Sequence, residues 1–336
     1  MKSLLQRLCC AGSAALIALP LLLMPSCNRG GSTQNNGGNS PDTTAASPQS
    51  ASLFNADSAY SYVARQVAFG PRVPNTPAHR ECADWIAATL RARGLSVTEQ
   101  HFTATAWDGT SLALTNIIGQ INPSAPKRIL LMAHWDTRPW ADKDPVNANH
   151  TKPIDGADDA GSGVGVLLEL ARYYAQNTPA VGLDFVFFDG EDYGRYEDEE
   201  SWCLGSTYFS KNPFTPGYKA QWGILLDMVG AADARFSIEG FSYRYATSYV
   251  NLVWDTAQNL GYGAYFSNAQ GGYITDDHVP VIRNMVIPCI DILNFSAERA
   301  NGFPHHWHTV NDTMEAVSAQ TLGVVGHTLM EVINKQ

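Results

Sequence analysis

The sequence predicts an α/β fold, with a mostly parallel central sheet flanked by helices on both faces. Three observations lead there. Several short runs are apolar without alternation, as strands covered on both faces are. The stretches between them carry apolar residues at helical spacing. The two kinds of segment alternate along the chain, and parallel neighbours need such crossovers.

The elements follow in order. Residues 76–93 place Cys82, Trp85, Ile86 and Leu90 on one helical face, and Gly94 stops the helix. Residues 97–102 and 112–118 read as strands. Residues 128–133 are the first fully apolar run, and residues 163–176 have helical spacing. Residues 183–188 and 222–226 are two further buried strands, and residues 248–260 are helical. A strand over 286–293 and a terminal helix over 314–334 complete the pattern.

The chain has 336 residues, 45% hydrophobic and 16% charged, enough for one large α/β domain or two small ones with an ample core. Its net charge of −10 argues against nucleic acid, which needs a basic surface. Lys2 and Arg7 followed by an apolar run over 8–24 read as a signal peptide covering residues 1–26. No later segment is apolar enough to span a membrane. Ser26-Cys27 at the end of that run resembles a bacterial lipoprotein signal, although Met24 stands where that signal prefers Leu. Lipidation of Cys27 is therefore expected, with the membrane reached through that anchor alone, in a periplasmic or cell-envelope location. Residues 27–52 are rich in Gly, Asn, Ser, Thr, Pro and Gln and read as a flexible tether. A single catalytic domain is expected over 53–336. Its cysteines are Cys82, Cys203 and Cys289, with no C-x-x-C spacing. They can form at most one bridge, offer no thiolate zinc site, and read as small buried hydrophobes.

In a parallel sheet, ligands bind at the carboxyl ends of the strands. Four apolar runs end there in polar residues: His134-Trp135-Asp136, Asp189-Gly190-Glu191-Asp192, Asp227, and Asp291. Gly156-Ala157-Asp158-Asp159 opens the helix that starts at Gly161, and His305-His306-Trp307-His308 follows late in the chain. Imidazoles and carboxylates from separate strand ends can converge on one metal. A set without sulfur suits zinc in an open catalytic site. Asp158 or Asp159 alone has the alternative reading of a helix N-cap, Asp158 more than Asp159, and any single Trp that of core packing.

Together these motifs resemble the zinc exopeptidase superfamily, which holds co-catalytic zinc aminopeptidases and animal-type glutaminyl cyclases. The resemblance rests on His134-Trp135-Asp136, Gly156 to Gly163, Phe188-Asp189-Gly190-Glu191-Asp192, Leu226-Asp227 and Trp307-His308-Thr309. A finer match is to the glutaminyl cyclases: His134-Trp135-Asp136-Thr137-Arg138-Pro139, Asp192-Tyr193-Gly194 and Glu200-Ser201-Trp202-Cys203-Leu204-Gly205-Ser206 resemble their Bacteroidetes-type branch, and Asp276-Asp277-His278-Val279-Pro280 and Phe303-Pro304 resemble the cyclases generally. The resemblance implies the aminopeptidase-like fold, with one zinc per chain held by Asp159, Asp192 and His308. It implies Glu191 as acid/base, Asp227 and Asp276 at the substrate amine, and Trp307 and Phe303 as pocket walls, with help from Trp202 or Trp135. The implied reaction converts an N-terminal Gln of a peptide or protein to pyroglutamate with release of ammonia. Two positions depart from the animal enzymes, which carry Glu where this chain has Asp192 and His where it has Asp291. Two rival readings stay open. One is a two-zinc aminopeptidase, with His134 and Asp227 beside a bridging Asp159. The other is a binding protein that keeps the fold without catalysis.

Overall fold

The computed structural model describes residues 54–336. The signal peptide, Cys27 and the tether read from the sequence lie outside the described residues. In chain order the elements are α1 (Ala56–Val67), α2 (Pro77–Ala92), β1 (Ser96–Thr105), β2 (Ser111–Ile121) and β3 (Arg128–His134). After them come α3 (Gly161–Gln176), β4 (Gly182–Phe188), α4 (Leu204–Lys211), β5 (Trp222–Asp227) and β6 (Phe236–Ile238). The chain closes with α5 (Gly240–Asn259), β7 (Phe266–Gln270), α6 (His278–Met285), β8 (Cys289–Leu293) and α7 (Ala319–Asn334).

Six strands form one sheet in the order β1-β2-β4-β3-β5-β8. From β4 to β8 every pairing is parallel, while β1 and β2 add an antiparallel edge. Strands β3 and β4 are buried along their whole length, which is why their sequences do not alternate. Their side chains still divide between two faces. Ile129, Leu131, Phe185, Phe187, Ile224 and Ile290 pack with α1, α2, α3, α5 and α7. Leu130, Met132, Val186, Phe188 and Leu225 pack with residues of α4 and α6. Helices thus cover both faces, as the alternation predicts. Among the described residues, no helix is long and apolar enough to cross a membrane.

Register sets the working edge. His134 pairs with Phe188, and Asp227 with Leu293, so four parallel strands end side by side. Helix α3 packs closely behind that edge. A Cβ on Gly163 would lie 2.4 Å from the carbonyl oxygen of Leu226, so only glycine fits.

Some boundaries differ from the sequence reading. Thr76 caps α2 as expected, its side chain accepting from His79 N at 3.2 Å. The helix read over 248–260 starts earlier, at Gly240, where Glu239 caps it, and it kinks at Ala246. The strand read from 286 begins at Cys289, because Val286 adopts a left-handed conformation at the end of α6. The terminal helix begins at Ala319, not 314, because Val317 bridges to Ala231. Helices α1, α4 and α6 and the small parallel pair β6–β7 were not read from the sequence. Cys82, Cys203 and Cys289 are buried and unbridged.

Candidate metal centre and active site

Three loops at the carboxyl edge of the sheet carry the polar residues. The first turns at Gly156, whose φ of +60° and contact with Thr137 exclude a side chain, and it delivers Asp159 just before α3. The second follows β4 and delivers Glu191 and Asp192. The third precedes α7 and delivers Trp307 and His308. His308 sits at φ +53° and Met228, next to Asp227, at φ +49°. Such left-handed non-glycine residues store strain and concentrate where function over-determines the backbone.

Asp159, Asp192 and His308 converge. His308 Nε2 lies 3.3 Å from Asp192 Oδ1 and 3.5 Å from Asp159 Oδ2. All three are buried, and Asp192 Oδ2 has no hydrogen-bond partner. Tetrahedral zinc with bonds of ~2.0 Å places its donors roughly 3.3 Å apart, so this set fits a zinc ion. A second set lies alongside. His134 Nε2 is 3.1 Å from Asp159 Oδ1 and 3.3 Å from Asp227 Oδ1. Asp159 is shared by the two sets.

The surroundings hold these donors in place. Tyr196 Oη is 2.7 Å from His308 Nδ1, which leaves Nε2 to face the carboxylates. The Arg138 guanidinium donates to the backbone oxygens of Asp192 and Gly194 and pairs with Asp142 through two 2.8 Å bonds. The Asp136 carboxylate accepts from the backbone N–H of Glu191 at 3.1 Å and of Asp192 at 3.2 Å. The Asp312 carboxylate does the same for Asp158 at 2.8 Å and Asp159 at 3.1 Å. Asp158 does not cap α3. Its side chain accepts from Gly230 N and contacts His306 Nε2 at 2.9 Å.

Burial dominates the electrostatics. It pushes Glu191 well above the usual carboxylate range, with His134 opposing and Asp192 and Asp276 adding to the rise. Asp227 is raised in the same way, by burial and by Asp159 and Asp276, against His134. Burial also raises Asp276, opposed first by His278. Asp159 goes the other way: burial would raise it, but hydrogen bonds with His134 and His308 hold it far below. Burial, then Asp158 and Asp159, lift Asp312 to about 8, opposed by His306. A divalent cation on the donors would lower every neighbouring carboxylate.

A cavity of about 260 Å³ opens over these groups. Asp159, Glu191, Asp227, Asp276 and His308 line its floor, with Trp202, Phe303, Trp307 and Tyr273 around them. Its size suits one side chain more than a long peptide. Trp307 stacks on Phe303 at 4.0 Å and on His308 at 4.1 Å, and Trp202 also lies parallel to His308 at 6.2 Å. Glu191, Cys203 and Asp276 each bring one polar atom within 4.8 Å of the others. The structure does not bring Trp135 to the cavity. Its ring is buried against His79, and its Nε1 donates to Thr115 O. Residue reading missed Tyr196, Met228, Tyr273 and the holding role of Asp312. Arg138 stood within a quoted motif but without a role. Asp291 lies buried behind Asp276, 3.9 Å from His278 Nδ1.

The model of peptidase family M28 matches residues 116–333. The crystal structure of Porphyromonas gingivalis glutaminyl cyclase is 56% identical, with a TM-score of 0.84, covering 85% of this chain and 100% of that one. A structure named as a leucine aminopeptidase precursor, from Bacteroides thetaiotaomicron, is 48% identical with a TM-score of 0.81, covering 84% of this chain and 98% of that one. The Bos taurus glutaminyl-peptide cyclotransferase is 25% identical over 242 residues, 62% of this chain. The chain spans 63% of the length of that curated relative.

Proposed function

Because the chain belongs to peptidase family M28, we propose that it is a zinc-dependent glutaminyl-peptide cyclotransferase, acting on peptides and proteins that begin with Gln. The observation that carries the reading is the position of Asp276. It brings a carboxyl oxygen within 4.8 Å of Glu191, in a cavity also lined by Asp159 and Asp227, where the attacking amine of an N-terminal Gln finds an acceptor beside the acid/base. The 56% identical cyclase of P. gingivalis supports the same reaction.

Asp159, Asp192 and His308 would hold one zinc. Bound there, zinc supplies a Lewis acid for the γ-carbonyl oxygen of the substrate Gln. Glu191 takes a proton from the attacking α-amine and returns it to the leaving NH₂, which departs as ammonia. Burial raises its pKa and zinc on the neighbouring donors would lower it again, two opposed influences that suit a group acting first as base and then as acid. Asp227 and Asp276, both raised by burial, would hold the neutral amine by hydrogen bonds at the cavity floor. Trp307 and Phe303 wall the side chain and keep water away. The attack is intramolecular, so positioning supplies much of the rate.

One observation favours the second reading, an aminopeptidase with two zincs. The His134, Asp159 and Asp227 donors lie within 4.8 Å of one another. Metal analysis beside two assays decides. One zinc, ammonia release from a Gln-initiated dipeptide, and no cleavage of a Leu-initiated amide are expected. Two zincs with rapid cleavage of the Leu substrate would install the aminopeptidase instead.

We also propose that the mature chain starts at a lipidated Cys27 and works in the cell envelope on a tether. Intact mass spectrometry of the native protein checks this. A soluble form whose N-terminus lies beyond Cys27 would refute it.

A further inference from the structure

Asp312 follows His308 by four residues, touches no substrate cavity, and is fully buried. Its Oδ1 accepts from Asp158 N and its Oδ2 from Asp159 N. Ala157 N donates to the Asp312 carbonyl oxygen at 3.3 Å, so three consecutive N–H groups of that loop end on this one residue. Helix α3 begins immediately afterwards, and its N-cap, Ala160, offers no side-chain bond. A serine or asparagine cap would satisfy such donors without burying a charge. An acidic group buried beside Asp158 and Asp159 is costly by comparison. A reason beyond capping follows from connectivity. Asp312 is tied through a short backbone to His308 and through hydrogen bonds to Asp159, two members of one donor set. The same device recurs at Asp136, which grips the N–H groups of Glu191 and Asp192 with its two oxygens.

We infer that Asp312 is a positioning residue for the metal centre: its two-oxygen grip on Asp158 and Asp159 fixes the separation of the Asp159 carboxylate from the His308 imidazole. Asn in its place keeps one acceptor and turns an NH₂ toward a backbone N–H, so one bond is lost and the loop tilts. Glu keeps the acidic group but displaces it by a methylene. A role that needs only an acid there survives that change and a positioning role does not.

The test measures zinc affinity by competition with a chromophoric chelator, on the parent protein, Asp312→Asn, Asp312→Glu and Asp184→Asn. Asp184 is a control for general destabilisation. It is buried at the far end of the sheet and pairs with Arg128. Affinity is expected to fall about 10- to 100-fold in both Asp312 variants, the usual effect of removing a residue that orients a ligand. Asp184→Asn is expected to lower the thermal midpoint while keeping parental affinity. Should Asp312→Asn fail to fold, Asp312→Glu carries the comparison. Parental affinity in Asp312→Glu, or an equal loss in Asp184→Asn, would overturn the inference. It rests on the proposed zinc site and not on the reaction. A parent protein that binds no zinc would sink that site, whereas a zinc-binding parent with unaffected variants would sink only the role of Asp312.

Discussion

Glu191 and Asp192 are adjacent in sequence, yet the turn between them points one at the cavity and the other at His308. Glu191→Gln is expected to lower kcat by about 10²–10⁴-fold, because the amide can neither take nor return the proton. Zinc content should stay at the parental level in the same sample. Asp159→Ala and His308→Ala should instead lose zinc, since a three-ligand site cannot spare one. Zinc loss in Glu191→Gln, or zinc retention in either alanine variant, would reverse the division of labour. At this scale the sequence was informative about residues that face the ion or the cavity. They are charged or aromatic and stand at the ends of apolar runs. It was silent about the residues that hold them. Tyr196 touches a histidine 112 positions away. Asp312 binds backbone N–H groups more than 150 positions away. Nothing local in the sequence encodes either contact. Trp135 shows the opposite error: it stands between His134 and Asp136, but strand alternation turns it into the core.

Between elements, one tight constraint is the seat of α3 on β5. Gly163 lets the helix approach until its Cα faces the carbonyl oxygen of Leu226, and a methyl group there would lie 2.4 Å from that oxygen. Gly163→Ala should therefore push α3 outward and cost about 1–3 kcal/mol. That loss reads out as a lower thermal midpoint, together with weaker zinc binding because Asp159 precedes the helix. An unchanged midpoint would show that the helix can shift freely. The strands of this sheet were legible because burial on both faces makes them uniformly apolar. The short elements were not. Strand β6 has three residues and α4 has eight, too few to display a period. The β8 boundary was misplaced because Val286 is apolar, yet it is exposed in a left-handed turn.

For the whole molecule, the donors of one site come from three separate loops, with His308 more than a hundred residues from Asp159 and Asp192, so the site forms only when the sheet is complete. The core does not depend on the ion in return. It is large and apolar, unlike that of a zinc finger. Removing zinc should leave the far-ultraviolet circular dichroism intact and lower the thermal midpoint. Each tenfold rise in free zinc above its dissociation constant should restore about 1.4 kcal/mol. His308→Ala should not respond. Loss of the folded spectrum on chelation would show that the ion, and not the core, specifies the fold.

The stacking of Trp307 and Trp202 on His308 has an optical consequence. An imidazolium quenches an excited indole by accepting an electron, and a neutral imidazole does so far less. Although burial opposes it, Asp192 and Asp159 raise the pKa of His308, which favours the imidazolium in the zinc-free protein. Zinc displaces that proton. Adding zinc to the zinc-free enzyme should therefore brighten the intrinsic emission, although eight tryptophans contribute to the total. Trp307→Phe should remove most of the gain, and an emission indifferent to zinc in the parent would show that His308 carries no proton to lose. If the gain is present, occupancy of the centre can be followed in real time without a dye or a label.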